Sequence, residues 1–210
     1  MFRKYFRTTV KKNGFHYLCP MNEDLHYLLD TALDKLEEEQ LRDHYLQHPD
    51  KVTELFAVVR SDEHNLKKNS GWLLLHIAKK DVTPLLPHAD TCLKLPFLLH
   101  DDLVLRNVLF VCEQLLKKLS ENDLEHHVAL IDRCMDFVMN GTYRPGTRCN
   151  ALSALAPFCR ITPELAHEIR LLIETFQEET SKGMKTRFRH VLASLDTFAL
   201  QYLRNSKVSQ

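Results

Sequence analysis

Cationic side chains recur at intervals of about 40 residues along this 210-residue chain, and such a regular series can hold an anionic partner. Lys68, Arg106, Arg148 and Arg187 follow one another at offsets of 38, 42 and 39 residues. If the segments that carry them stack, the side chains align on one surface, where guanidinium groups bind carboxylates or phosphates through paired hydrogen bonds. The predicted binding residues are this series and two neighbours: Lys68, Arg106, Arg144, Arg148, Arg187 and Arg189.

Acidic residues that precede the same segments offer a second interpretation of the cation series. They can pair with the cations of neighbouring repeats and form an internal ladder of salt bridges; they are Asp62, Asp101, Asp102, Glu178 and Glu179. Arg148 has no acid near it in the sequence, and we therefore expect it to be the cation that faces a ligand. The sequence leaves both interpretations open, a binding ridge and an internal ladder.

The cysteines and histidines do not form a recognisable chemical site. None of the six cysteines belongs to a C-x-x-C pair, so we expect reduced, buried thiols in a cytoplasmic protein. His44 and His48 stand four residues apart but lack an H-E-x-x-H motif, and we predict no metal ion and no cofactor. His76 and His190 lie in apolar helical patterns and are expected in the core. With no nucleophile elbow and no glycine-rich phosphate loop, the sequence indicates a protein that is not an enzyme.

The elements that must position the cations are all predicted to be helices. The chain holds only 5 glycines and 8 prolines, about half of average usage, and its apolar residues recur at helical spacing. The predicted helices cover 23–39, 50–60, 65–80, a segment that starts at Thr83-Pro84, 101–118, 121–139, 145–159, 163–178 and 183–203. They form pairs with the period of the cations, which matches the short end of the roughly 40–47 residues of a HEAT or armadillo unit.

The predicted fold is an all-α, right-handed α-α superhelix, a HEAT- or armadillo-like solenoid of about four helix pairs behind an acidic N-terminal helix. Each pair has an apolar stripe that it cannot bury alone, so neighbouring pairs must stack. We expect a basic N-terminal segment over 1–20, one repeat domain over 21–205 and a polar tail over 206–210. No apolar run reaches the about 18–20 residues of a membrane span, and no secretory signal follows the N-terminus.

Three blocks of sequence resemble a family of small bacterial HEAT-like proteins from the Bacteroides and Flavobacterium group. The blocks are KKNSGWLLLHIA, LLPHADTCLKLPFLLHDDLVLRNVL and KTRFRHVLASL, within about residues 50–200. The matching residues are Trp72, His100-Asp101 with Arg106, and Lys185, Arg187, Arg189, His190, Val191 and Leu192. The resemblance implies a repeat fold and no particular activity. Some members carry the name adenylosuccinate lyase, but this chain has no S-S-x-M-P-x-K-x-N-P loop, so that activity is not carried over.

Charge balance and repeat architecture together favour a protein partner. Lys+Arg 28 and Asp+Glu 28 give zero net charge, which disfavours a general polyanion binder. We expect a non-catalytic protein-interaction scaffold that presents a concave helical surface to another protein or an acidic peptide. The alternative is a nucleic-acid-binding HEAT protein such as an alkylated-base DNA glycosylase, which needs a basic cleft, an aromatic ring and a carboxylate. Trp72 lies in the apolar run WLLLHIA and is expected in the core, while Tyr143 beside Arg144 has no Asp next to it.

Overall fold

Helices make up most of the described chain. The computed structural model describes residues 29–30, 35–176 and 182–208, and it holds no strand within those ranges. The α-helices are α1 Lys35–Gln47, α2 Val52–Val58, α3 His64–Lys80, α4 Ala89–Leu98, α5 Asp102–Leu116, α6 Glu121–Glu125, α7 Ala129–Met139, α8 Pro145–Leu155, α9 Leu165–Phe176 and α10 Lys182–Val208. The all-α prediction is confirmed. The predicted basic segment 1–20 and the acids Glu178 and Glu179 lie outside the described residues.

Helix boundaries depart from the prediction mainly where prolines interrupt the hydrogen-bond ladder. The helix predicted from Thr83 begins as a 3-10 helix, Thr83–His88, with Pro87 inside it, and becomes α-helical at Ala89. Similarly, α8 ends at Leu155 and a 3-10 helix that contains Pro157, Ala156–Arg160, continues from it. Because proline has no N–H group, it cannot donate the bond that would extend an α-helix. The segment predicted as one helix over 121–139 divides into α6 and α7.

The helices pair and stack as a solenoid requires. The second helices α3, α5, α8 and α10 form one row, in which each packs against the next. The first helices α2, α4, α7 and α9 each pack against the second helix that follows them, which gives four helix pairs. The predicted α-α solenoid is therefore confirmed. We call the exposed side of α3, α5, α8 and α10 the second-helix surface.

Close contacts and polar bonds between neighbouring second helices fix how they stack. A Cβ atom on Gly71 of α3 would stand 3.0 Å from Val104 Cγ1 of α5, so the absence of a side chain at residue 71 lets the two helices approach closely. Between α5 and α8, Asn150 Nδ2 donates to the carbonyl oxygen of Arg106 at 2.8 Å. Thr147 Oγ1 donates to the carbonyl oxygen of Asp102 at 3.1 Å. These bonds satisfy polar groups that the stacking would otherwise leave without partners.

The cysteines behave as core residues. The five described cysteines are free and buried. Burial raises the pKa of Cys92, Cys134 and Cys159 to about 12, so their thiols stay protonated and pack as small apolar groups. This confirms the prediction of buried thiols for these five, while Cys19 lies outside the described residues. Within the described ranges, no helix is both long enough and apolar enough to cross a membrane.

Candidate interaction surface

Lys68 and Arg106 lie exposed near the beginnings of α3 and α5, at corresponding positions on the second-helix surface. The Arg106 side chain crosses the first turn of α8, where a Cβ atom on Gly146 would stand 2.9 Å from Arg106 Cδ. Because residue 146 is glycine, the arginine stem can lie along that turn. Neither cation forms a salt bridge with an acid of the described chain, so the positive charges of both are open to a ligand.

Arg148 does not continue this series, because its guanidinium is engaged within the chain, and its role as the cation that faces a ligand stays a prediction. Its Nε donates to the carbonyl oxygen of Val138, the next-to-last residue of α7, at 2.8 Å. Its guanidinium carbon lies 4.4 Å from the centre of the Phe176 ring, at the end of α9. The side chain is half-buried and connects the ends of two first helices. Among the described residues Arg148 has no acid partner, as the sequence indicated, but a carbonyl oxygen and an aromatic ring take its place.

The internal ladder exists in part, with different partners from those predicted. Asp102 of α5 pairs with Arg144, which precedes α8, through an Oδ2–Nε distance of 3.5 Å. The same carboxylate accepts the backbone N–H of Arg144 at 3.3 Å through Oδ1. Asp101 accepts from the N–H groups of Leu103 and Val104 and so caps α5, and its Oδ2 lies 3.9 Å from His64 Nδ1. The Arg144 side chain is 80% exposed, which limits the strength of its pair with Asp102.

Arg187 of α10 is held by two partners on the second helices before it. Its Nη2 donates to Asn150 Oδ1 of α8 at 2.7 Å, and its Nη1 lies 3.7 Å from Glu113 Oε2 of α5. Asn150 is itself fixed by its bond to α5, so Arg187 has one well-defined position. Arg189 is exposed and donates only to Thr186 Oγ1 of its own helix, at 3.3 Å.

Several arginines serve a structural role that neither interpretation of the sequence included: they donate to carbonyl oxygens at helix C-termini. Arg160 reaches the carbonyl oxygens of Leu116 and Leu119 at the end of α5, through Nη2 at 2.6 Å and Nη1 at 2.9 Å. Arg133 Nε donates to the Pro96 carbonyl oxygen near the end of α4, at 3.2 Å. The last carbonyls of a helix have no partner within it and carry the negative end of the helix dipole, so guanidinium groups stabilise them.

A groove opens on the second-helix surface where α5, α8 and α10 meet. It encloses about 420 Å³ and is lined by polar and small side chains: Glu113, Gln114, Lys117, Ser153, Ala156, Arg187, His190, Val191, Ala193, Ser194 and Thr197. Glu113 is the unusual member, because its side chain is only 7% exposed while it carries a carboxylate. Its Oε1 accepts from Lys117 Nζ at 2.6 Å. Sequence reasoning missed this acid; the signal was an i,i+4 Glu–Lys pair inside the apolar pattern FVCEQLL.

The histidines divide between the surface and the core differently from the prediction. His190, expected in the core, is exposed and lines the groove. His76, expected as a satisfied core residue, is half-buried, and its Nδ1 lies 2.5 Å from Glu38 Oε1. Trp72 is likewise half-buried rather than fully in the core, and its ring lies 4.3 Å from the His76 ring.

His44 and His48 share one face of the end of α1, with ring centres 4.6 Å apart. No third His, Cys, Asp or Glu joins them, since the described part of the chain holds no group of three or more such side chains that could hold a metal ion. The absence of a metal site remains a prediction for the whole chain.

The structure places one carboxylate against Arg144, the residue that follows Tyr143. Tyr143 packs edge-on against Phe137, with ring centres 5.1 Å apart, and precedes Arg144. Asp102 lies 42 residues away in the sequence and contacts Arg144, so the structure supplies an acid that the sequence around Tyr143 and Arg144 lacks. Both oxygens of Asp102 are already engaged by Arg144, through its side chain and its backbone N–H.

Comparison with known proteins places the chain in a family. A family model for the HEAT repeat domain matches residues 25–195, which cover well over half of the chain. No curated protein and no solved structure matches it. The matched region includes all four helix pairs up to the first half of α10. A closer relation to the Bacteroides and Flavobacterium proteins stays a prediction. By its repeat period, its stacked helix pairs and this match, the chain belongs to the HEAT repeat domain family.

Proposed function

We propose that this HEAT repeat protein is a non-catalytic interaction scaffold that binds another protein through its second-helix surface. The observation that carries this proposal is the combination, on one surface, of exposed cations without acid partners and an open polar groove. Lys68 and Arg106 offer charge at one end of α3 and α5, and the groove begins at the other end of α5. A row of stacked helices of this kind provides an extended surface for an elongated partner.

The state of the cysteines supports a role other than thiol catalysis. A nucleophilic cysteine needs a lowered pKa and access to solvent. The described cysteines have the opposite properties, because burial raises their pKa and removes them from solvent. A scaffold requires none of these groups to react.

The second candidate function is nucleic-acid binding, including base excision. The observation that favours it is the grouping of Tyr143, Arg144 and Asp102, which supplies an aromatic ring, a cation and a carboxylate. The Tyr143 ring packs against Phe137 and both Asp102 oxygens contact Arg144, so the ring and the carboxylate already have partners within the chain. We therefore prefer the protein-binding role.

Affinity purification from native lysate tests the proposal. The test variant carries Lys68→Glu and Arg106→Glu on the second-helix surface; the matched control carries Lys94→Glu and Lys118→Glu, two exposed lysines outside it. We expect wild type and control to retain a specific protein that the test variant loses, with all three showing the same circular dichroism melt. Equal retention by all three proteins contradicts the proposal.

Salt dependence distinguishes the two candidate functions. Binding to nucleic acid releases counterions, so its affinity falls steeply between about 50 and 200 mM salt. Binding of a protein through these few cations releases fewer counterions than binding along a phosphate backbone, so its affinity falls less steeply over that range. A retained nucleic acid whose affinity falls steeply with salt supports the second candidate and contradicts the first.

A further inference from the structure

The groove between α5, α8 and α10 contains a buried carboxylate oxygen that lacks a hydrogen-bond donor. Glu113 Oε1 is satisfied by Lys117, but Oε2 is buried and accepts no hydrogen bond from any described residue. The Nη1 atom of Arg187 lies 3.7 Å away, which is close enough for charge attraction and too long for a hydrogen bond. Buried polar atoms are nearly always satisfied, so a donor that enters the groove would complete the hydrogen bonds of this carboxylate.

The hydroxyl groups of the groove add acceptors rather than donors. Ser153, Ser194 and Thr197 each use the hydroxyl proton in a bond to a carbonyl oxygen of their own helix, at 3.0 Å in all three cases. Their oxygen lone pairs remain available to accept hydrogen bonds from a ligand. Together with Glu113 Oε2, these oxygens favour a ligand that donates hydrogen bonds.

Two cations at the same place favour a ligand that also carries negative charge. The Lys117 side chain is 34% exposed and the Arg187 side chain 29% exposed, so both retain access to solvent. Asn150 fixes Nη2 of Arg187 and leaves Nη1 directed toward Glu113. With one carboxylate and two cations, the groove has a net positive charge, and exposed His190 adds to it when protonated.

We propose that the groove binds an extended acidic peptide segment of a partner protein. Main-chain N–H groups of the peptide donate to Glu113 Oε2, and an Asp or Glu side chain of the peptide pairs with Lys117 and Arg187. A nucleic-acid phosphodiester brings acceptors alone and leaves Glu113 Oε2 unsatisfied. A basic peptide is repelled by the two cations. This inference rests on the proposed function, because it names the chemistry of the segment that the scaffold binds.

Fluorescence anisotropy with two synthetic probes tests the assignment. The first probe is a short labelled peptide of alternating Glu and Gly; the second is the same peptide with every glycine nitrogen methylated, which removes half of its N–H donors and keeps its charge. Wild type should bind the first probe about tenfold more tightly than the second, the effect of one hydrogen bond to a charged group. The variant Lys117→Gln should bind both weakly, and the matched control Lys118→Gln should bind like wild type.

The variant Glu113→Gln separates a binding role from a structural one. In this variant the side-chain oxygen stays with Lys117 and an NH2 group replaces Oε2, so the groove loses its acceptor. The preference for the unmethylated probe should then disappear, whatever the affinity of the more positive groove for the two probes. A purely structural role for Glu113 changes the affinity of both probes by the same factor and overturns the proposal.

The remaining outcomes are also decisive. Equal binding of the two probes to wild type, or a labelled oligothymidine that binds more tightly than the acidic peptide, overturns the proposal. If the lysate experiment identifies a partner that depends on Lys68 and Arg106 while neither probe binds, the scaffold function stands and the groove assignment falls. If no protein is retained and no probe binds, both proposals fail.

Discussion

Arg160 should contribute more to stability than any other single cation described above, and Arg160→Met tests this. Its guanidinium donates to Leu116 O at 2.6 Å and Leu119 O at 2.9 Å, at the end of α5. Its Nε donates to Pro157 O at 3.2 Å within its own 3-10 helix. Methionine preserves most of the apolar stem of arginine and removes all three donors, so the change isolates the polar contribution.

The size of the loss can be worked out from these contacts. A hydrogen bond to a charged group contributes about 1.5–3 kcal/mol, and the half-buried position of Arg160 places each bond at the lower end of that range. The two bonds to α5 then account for about 3 kcal/mol. In a chain of this size, 1 kcal/mol lowers the melting temperature by about 2–4 °C, so Arg160→Met should melt about 6–12 °C below wild type.

Urea unfolding followed by circular dichroism measures the change, with Arg144→Met as the matched control. Arg144→Met is the same substitution at a side chain that is 80% exposed, where the ion pair with Asp102 contributes at most about 1 kcal/mol. Arg160→Lys should fall between wild type and Arg160→Met, because one ammonium group cannot reach two carbonyl oxygens in the geometry of a guanidinium. If Arg160→Met loses no more stability than Arg144→Met, the reasoning about arginines at helix ends is refuted.

Three further predictions follow from the packing and the charges. Gly71→Leu should lower the free energy of unfolding by roughly 1–3 kcal/mol, because the Cβ atom alone would stand 3.0 Å from Val104 Cγ1. The urea midpoint measures this change. The control is Gly141→Leu, since a Cβ atom at residue 141 would meet nothing within 4 Å. Asn150→Ala should weaken binding of the Glu-Gly probe, because it frees Arg187, and should leave the ratio of the affinities of the two probes almost unchanged. Unchanged anisotropy titrations would contradict this. Burial, with His48 and Lys51 nearby, lowers the pKa of His44 against the opposing effect of Asp50. The unfolded chain therefore binds a proton more readily, and stability should fall as pH drops below about 6.5. His44→Gln should flatten that dependence in urea midpoints measured across pH; an unchanged profile would assign the dependence to other groups.

The sequence predicted the fold because the fold depends on local pattern and period. Apolar spacing identified the helices, and the interval between Lys68, Arg106 and the later cations identified the repeat. The sequence predicts a helix that starts at Thr83-Pro84, but this segment begins as a 3-10 helix, since the missing N–H permits a tighter turn as readily as a new α-helix.

The partners of the cations were harder to predict, because they depend on where helices end in three dimensions. Arg148 was chosen as a ligand-facing residue for lack of a nearby acid, yet its partner is a main-chain oxygen, which every residue carries and no sequence pattern marks. Asp102 and Arg144 were predictable in principle: they lie 42 residues apart, one repeat period, and stacking brings such positions together. The sequence marks Glu113 by its i,i+4 spacing to Lys117, but its place in the groove depends on how α5, α8 and α10 pack together.

The two hydrogen bonds from Arg160 to the end of α5 also affect local unfolding of the chain. In a one-dimensional array, each repeat is usually treated as a unit coupled to its neighbours through their interface. Here α5 cannot fray at its C-terminus without breaking bonds to a residue that follows α8, so the cooperative unit extends across two helix pairs. Native-state hydrogen exchange should accordingly show the last turn of α5 and the 156–160 segment opening together. A chain cut after Leu155 would lose the protection of amides some 40 residues upstream, near Leu116, as well as those at its new end.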